Sequence, residues 1–198
     1  MPRVPISRVT VEPAIEPVTV AEVKANAFIE SDTSYDPFIE KQLIPTARVY
    51  VEEIAERSLI TQTRAQYHDC LDTTIRVRYG PVQSITSITY KDSAAASQTL
   101  TASLYTVDTA SIPGRVVQAY NATYPSSIED TNSVVVTAVC GYGTTAASVP
   151  IIYRRAIILL STFWHNNRAA FACGESDDAT MMALQRMLAI GGAVVSYA

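Results

Sequence analysis

Two histidines and three cysteines are the side chains best suited to nucleophilic or metal chemistry. His68-Asp69-Cys70 holds one of each. In a strand, residues 68 and 70 share a face, so a Cys–His nucleophile pair is available in principle. Such a pair needs a third group to orient the imidazole, and none is evident; an incidental strand face is the plainer reading. His165 follows Trp164 in an apolar helical pattern. A metal takes three or four ligands, so this histidine alone reads as a helix-surface or interface residue. Cys70, Cys140 and Cys173 are odd in number and far apart, with no CxxC pair, which fits three free thiols in a reducing compartment. The carboxylate pairs Asp69/Asp72 and Asp177/Asp178 fit turn formation and helix capping better than acid–base work. Cys140-Gly141-Tyr142-Gly143 is not a nucleophile elbow, and neither G-x-G-x-x-G nor G-x-x-x-x-G-K-[ST] occurs. No catalytic, cofactor-binding or metal residue is therefore assigned.

Charge points elsewhere. Arg154-Arg155 could bridge to an acidic patch on another subunit, such as Glu52/Glu53 in the run that also holds Glu56. The alternative for both groups is a solvated face. Charged residues make up only 17% of the chain and apolar ones 48%. About 25% charged is usual for a soluble domain, so covered surface is expected. The net charge of −4 gives no basic stripe for gripping nucleic acid. MPRVPISRVTVEP has no apolar core of signal-peptide length, and the apolar run of the key helix, Ala156 to Leu160, is far short of the ~20 residues of a membrane span.

These residues must be positioned by a small set of elements. Pro2, Pro5, Pro13 and Pro17 mark residues 1–17 as an extended arm, either disordered or laid along a neighbouring subunit. Thr19-Val20-Ala21-Glu22 is a capping box with Val18 and Val23 at staple positions, opening a helix over 19–29. A second helix spans 36–57, with Asp36 as its cap, Pro37 in its first turn and a kink or restart at Pro45. From 61 to 140 the period becomes two, which predicts an antiparallel β unit inserted between the second and third long helices. Within it, Ile85 falls on the opposite face from Ile88 and Tyr90, which predicts either a bulge or burial on both sides. Val134, Val135, Val136 and Val139 are apolar on both faces, as in a central strand.

The third long helix, 150–170, carries the stripe Ile152, Ala156, Leu159, Leu160 and Phe163, widened by Tyr153, Ile157 and Trp164. Arg154, Arg155, Ser161 and Thr162 fall largely opposite. So wide a stripe predicts two packing partners, the second helix on one side and the β unit or a second subunit on the other. A last helix, 177–190, stops at Gly191-Gly192. The tail 193–198 is apolar, and Val194, Val195 and Tyr197 either pack on their own domain or dock on a partner. The fold class is α+β: a helical core of about four helices with an inserted β unit, and one domain from 18 to 192.

The ordered set of motifs resembles a known family. It runs from Pro17-Val18-Thr19-Val20-Ala21-Glu22-Val23-Lys24, through Ala47-Arg48, Glu52 and Thr61-Gln62-Thr63, to Pro81-Val82-Gln83-Ser84-Ile85 and Ile88-Thr89-Tyr90-Lys91-Asp92. Tyr105-Thr106-Val107-Asp108, Gly141-Tyr142-Gly143, Val149-Pro150, Ala156 to Leu160 and Asn167-Arg168 complete it. Over about residues 17–170 the chain is similar to the head–tail connector, or adaptor, proteins of tailed bacteriophages. The resemblance implies a non-enzymatic virion protein without cofactors, made in the host bacterial cytoplasm and sited in the neck. It implies a homo-oligomeric ring of twelve beneath the portal protein, with double-stranded DNA passing through its lumen unread and a stopper or tail-completion protein docking next. Family members often end in a basic segment that reaches the portal, whereas Met187 to Ala198 has no charge. The rival readings are another neck or tail ring protein (a stopper or tail terminator) and a hydrolase using Cys70 and His68.

Overall fold

The computed structural model describes residues 5–167, together with Met182 and Arg186. Their contacts divide the chain into two units: the chain up to Ala14 with Thr61–Tyr142, and Ile15–Ile60 with the chain from Gly143 onward. The internal boundaries are Ile60/Thr61 and Tyr142/Gly143.

The first unit is entirely antiparallel β structure. Strands β1 (Ile6–Val11), β2 (Gln62–His68), β4 (Val82–Lys91), β5 (Ser97–Thr99) and β8 (Val134–Cys140) form one sheet in the order β1-β2-β8-β4-β5. Strands β3 (Thr74–Val77), β6 (Tyr105–Asp108) and β7 (Gly114–Gln118) form a second sheet in the order β3-β7-β6. One apolar cluster serves both: Ile75, Val77 and Val116 from the small sheet join Ile88, Tyr90, Val134, Val136 and Ala138 from the large one. Gly114 permits this contact, because a Cβ there would sit 2.6 Å from a Val82 methyl.

The valine run of β8 is central, between β2 and β4, as its two apolar faces predict. Irregular register appears twice in β4, at Val82/Ser84 and Ile85/Ser87. That is how Ile85 changes face, and of the two expectations it satisfies the bulge. Polar side chains also enter this unit. Gln62, Arg64 and Gln66 are buried on the face of β2 opposite Cys140, Ala138 and Val136. The Arg64 guanidinium lies 4.0 Å from the centroid of the Tyr79 ring, and Gln66 Nε2 donates to the Arg78 carbonyl at 3.1 Å.

The amino-terminal arm is a correction to the sequence reading. It neither floats nor leaves its own chain: Ile6 to Val11 pair with Tyr67 to Thr63 of β2. Pro5 and Pro13 bracket the strand without interrupting it, so every amide in it can donate. The β unit is therefore not purely an insertion, since a strand that precedes the first helix completes its sheet.

The second unit is helical. Helix α1 (Val20–Ala27) opens on the predicted capping box, with Thr19 Oγ1 accepting from Glu22 N and Glu22 Oε2 accepting from Thr19 N at 2.8 Å. Val18 and Val23 are both buried as the staple requires. Helix α2 runs continuously over 36–55: an α turn (Asp36–Phe38), a π turn (Ile39–Leu43) and a longer α segment (Ile44–Ala55). Pro45 lacks the amide that would close an ordinary turn, and the wider π turn immediately before it absorbs the defect. Asp36 is not the cap. Tyr35 holds that position, while the Asp36 carboxylate pairs with Lys24 Nζ at 2.9 Å.

Helix α3 (Ile151–Asn166) begins after Pro150 and packs on both α1 and α2. Its most buried line is Tyr153, Ile157, Leu160 and Trp164, with Trp164 edge-on to Tyr50 of α2. Thr162 and Ser161, expected on the outer side, are buried instead, because α1 covers that side and Asn26 Nδ2 bonds Thr162 Oγ1 at 3.0 Å. The side of α3 that the sequence pattern leaves outside the stripe is therefore the side that α1 packs against. Ahead of α3, Gly143 bridges Ile60, and a Cβ on it would lie 2.6 Å from Ser148 Oγ. Three helices are present among the described residues, against the four expected. The helix expected over 177–190 lies outside them apart from Met182 and Arg186, and the tail 193–198 lies wholly outside.

Candidate assembly surfaces

The electrostatics around Cys70 disfavour a nucleophile pair. His68 ends β2 and Cys70 follows in a bend. Burial pulls the imidazole below its ordinary value, outweighing the Asp72 and Asp69 carboxylates, so His68 is neutral at physiological pH. Burial and a hydrogen bond with Asp72 push the Cys70 thiol up, and the charges of Asp72, Glu129 and Asp69 add to it. A nucleophilic cysteine needs the reverse, an electropositive setting that favours thiolate. Asp69 acts as a loop staple: its Oδ1 accepts from Asn132 N at 2.9 Å and its carbonyl from Ser133 Oγ at 2.7 Å. Cys140 is buried, and that burial lifts its thiol to about 11. Among the described residues no group of three or more His, Cys, Asp or Glu side chains could hold a metal, and no helix is long and apolar enough to cross a membrane.

The charged residues singled out in the sequence divide by exposure. Arg154 is half-buried and used within its own chain: Nε donates to the Pro17 carbonyl at 3.1 Å and Nη2 to Glu22 Oε1 at 2.6 Å. Burial raises the Glu22 carboxyl, but the Thr19 hydrogen bonds and the Arg154 charge together bring it below its ordinary value. Glu52, read as part of an acidic patch, is 1% exposed. Its Oε2 takes Arg48 Nη1 at 3.2 Å and its Oε1 takes the Leu59 amide at 2.8 Å, while Arg48 Nε reaches Glu16 at 3.0 Å. The carboxylate thus ties the end of α2 to the segment that follows. Glu53 and Arg155 are exposed. Val194, Val195 and Tyr197 lie outside the described residues.

Exposed apolar side chains mark surfaces that residue chemistry did not. In the helical unit Phe28 is 88% exposed and Ile151 72%. Phe28 ends α1 at φ 58°, the left-handed position usually given to glycine. The sequence pattern, which carries this helix to residue 29, gives no sign of it. A recess of about 310 Å³ opens beside the same helix, lined by Val20, Ala21, Lys24, Glu30 and Asp36.

No protein-family model matches the chain, and no curated protein matches it. Solved structures do. A chain in the neck of an empty GTA particle, computed with C6 symmetry, superposes with a TM-score of 0.69 at 18% identity, over 92% of this chain and 94% of that one. A chain in the virion of a native gene transfer agent (GTA) particle gives 0.68 at 16% identity, covering 82% and 85%. A chain in the neck of a native GTA particle, computed with C12 symmetry, gives 0.54 at 16% identity, covering 80% and 84%. At these identities the likeness is one of fold, and it extends over nearly the whole chain.

Proposed function

We propose that this chain is a structural neck protein of a phage-like particle: a head–tail adaptor that assembles as a ring beneath the portal, continues the DNA channel and docks the next neck or tail protein. The observation that carries this reading is the fold shared over 92% of the chain with a GTA neck protein. The C6 and C12 symmetries of the two neck structures support a ring. The ordered motifs from Pro17 to Arg168 support it independently, because they rest on residue types and spacing and not on the fold. The acidic balance also suits a lumen through which DNA slides, since a basic lining would bind phosphates.

The test is cryo-electron microscopy of particles from cells that express the chain, with and without its gene. The adaptor reading expects a ring of this fold between portal and tail, and full heads without tails when the gene is deleted. Density for the chain at the tail side of the neck, remote from the portal, would assign it to a stopper or terminator ring instead. Its absence from the particle would overturn the reading.

A further inference from the structure

A ring needs two different contact surfaces on each subunit, because head-to-tail contacts are heterologous. We infer that the recess beside α1 receives the start of α3 from a second copy of this chain, with Ile151 packing against Val20 and Ala21 and Arg155 pairing with Glu30; this rests on the ring reading above.

The recess has a definite chemistry. Val20 and Ala21 supply apolar surface, and Glu30 and Asp36 supply two carboxylates against one ammonium, that of Lys24. Lys24 is already engaged by Asp36 at 2.9 Å. The exposed Glu30 therefore leaves the recess net acidic. Phe28, two residues before Glu30, pays twice for its position: it takes a left-handed backbone that bulky residues avoid, and it exposes its ring to water.

The complementary surface lies on α3. Ile151 and Arg155 are one helical turn apart and both exposed. Arg155 makes no ion pair among the described residues, unlike its neighbour Arg154. Together they present an apolar side chain and a cation, matching the apolar and acidic residues that line the recess.

The two surfaces cannot meet within one chain. Glu22 and Asn26 are the α1 residues that bond α3. At about 100° per residue they fall on the side of α1 opposite Val20, Ala21 and Lys24. The recess thus opens away from its own α3. Only an α3 from another molecule can enter it, and each copy then offers one recess and one plug.

The test is a charge exchange combined with a cross-link in the full-length chain. Arg155→Glu and Glu30→Arg should each lower the yield of rings, in solution or in particle necks, by about tenfold. The double variant should restore it, which a folding defect would not. The Ala21→Cys/Ile151→Cys variant should give a ladder of covalent multimers on oxidation, whereas each single variant and the parent chain with its native cysteines should not. Rings without a ladder, or single losses that the double variant does not repair, would overturn this contact while leaving the ring reading standing. If the parent chain forms no ring, free or in particles, the ring reading fails and the contact with it.

Discussion

Arg154 Nη2 lies 2.6 Å from Glu22 Oε1, joining residues 132 positions apart. The same guanidinium holds the Pro17 carbonyl, so one side chain of α3 secures both the capping box and the chain leading into α1. Arg154→Ala should lower unfolding stability by about 1–2 kcal/mol, the loss expected for charge-assisted hydrogen bonds at a half-exposed position. Arg155→Ala should change it by less than about 0.5 kcal/mol, as for an ordinary surface substitution. Urea unfolding of the two variants checks the contrast.

Glu52→Ala should be far more damaging. It takes the Glu52 carboxylate from the Arg48 guanidinium and from the buried Leu59 amide. A loss of about 3 kcal/mol is expected, as when one partner of a buried pair is removed. Glu52→Gln, whose amide oxygen can still accept from Leu59, should lose less. Thermal melts of the two variants give the order.

Acid should loosen both units through specific carboxylates. Glu22 is held below its ordinary value in the folded chain, so its contribution is complete above that value and is lost as pH falls through the folded one. Asp108 is brought down to about 2, chiefly by the Arg115 guanidinium and also by Ser111. Its contribution should vanish between roughly pH 4 and 2. Urea midpoints measured across this range should fall, and Glu22→Gln and Asp108→Asn should each flatten part of the decline.

Thiol labelling should separate the cysteines. At mildly alkaline pH, Cys70 should react more slowly with iodoacetamide than in the unfolded chain, because burial and neighbouring carboxylates oppose its thiolate. Cys140, buried and shifted to about 11, should react only on unfolding. Peptide mass spectrometry of labelled protein reads both. A Cys70 faster than the unfolded reference would revive the hydrolase reading.

What could be read from the sequence was what neighbouring residues decide among themselves. Thr19 and Glu22 satisfy each other's amides three residues apart, so the start of α1 was visible. Pro45 announced a break in α2, and the valines of β8 announced a central strand. Partners far along the chain were invisible. Nothing near Ile6 shows that its strand pairs with Tyr67. Nothing near Thr162 shows that Asn26 will cover it. Glu52 looked solvated because charge was visible in the sequence and its burial beside Arg48 and Leu59 was not. The exposed apolar positions were hidden for a related reason: Phe28 and Ile151 look like core residues until their exposure is known.

The chain passes between its two units at Ala14/Ile15, Ile60/Thr61 and Tyr142/Gly143. This threading sets a timetable for synthesis on the ribosome. The amino-terminal strand has no partner until Tyr67 has emerged, and the large sheet can close only after Cys140. Helices α1 and α2 emerge early yet must wait for α3, which is made last of the three. A nascent chain that has emerged only as far as residue 142 would therefore carry a complete β unit and a helical pair with its apolar face uncovered. That intermediate is the one most exposed to aggregation or to capture by a chaperone.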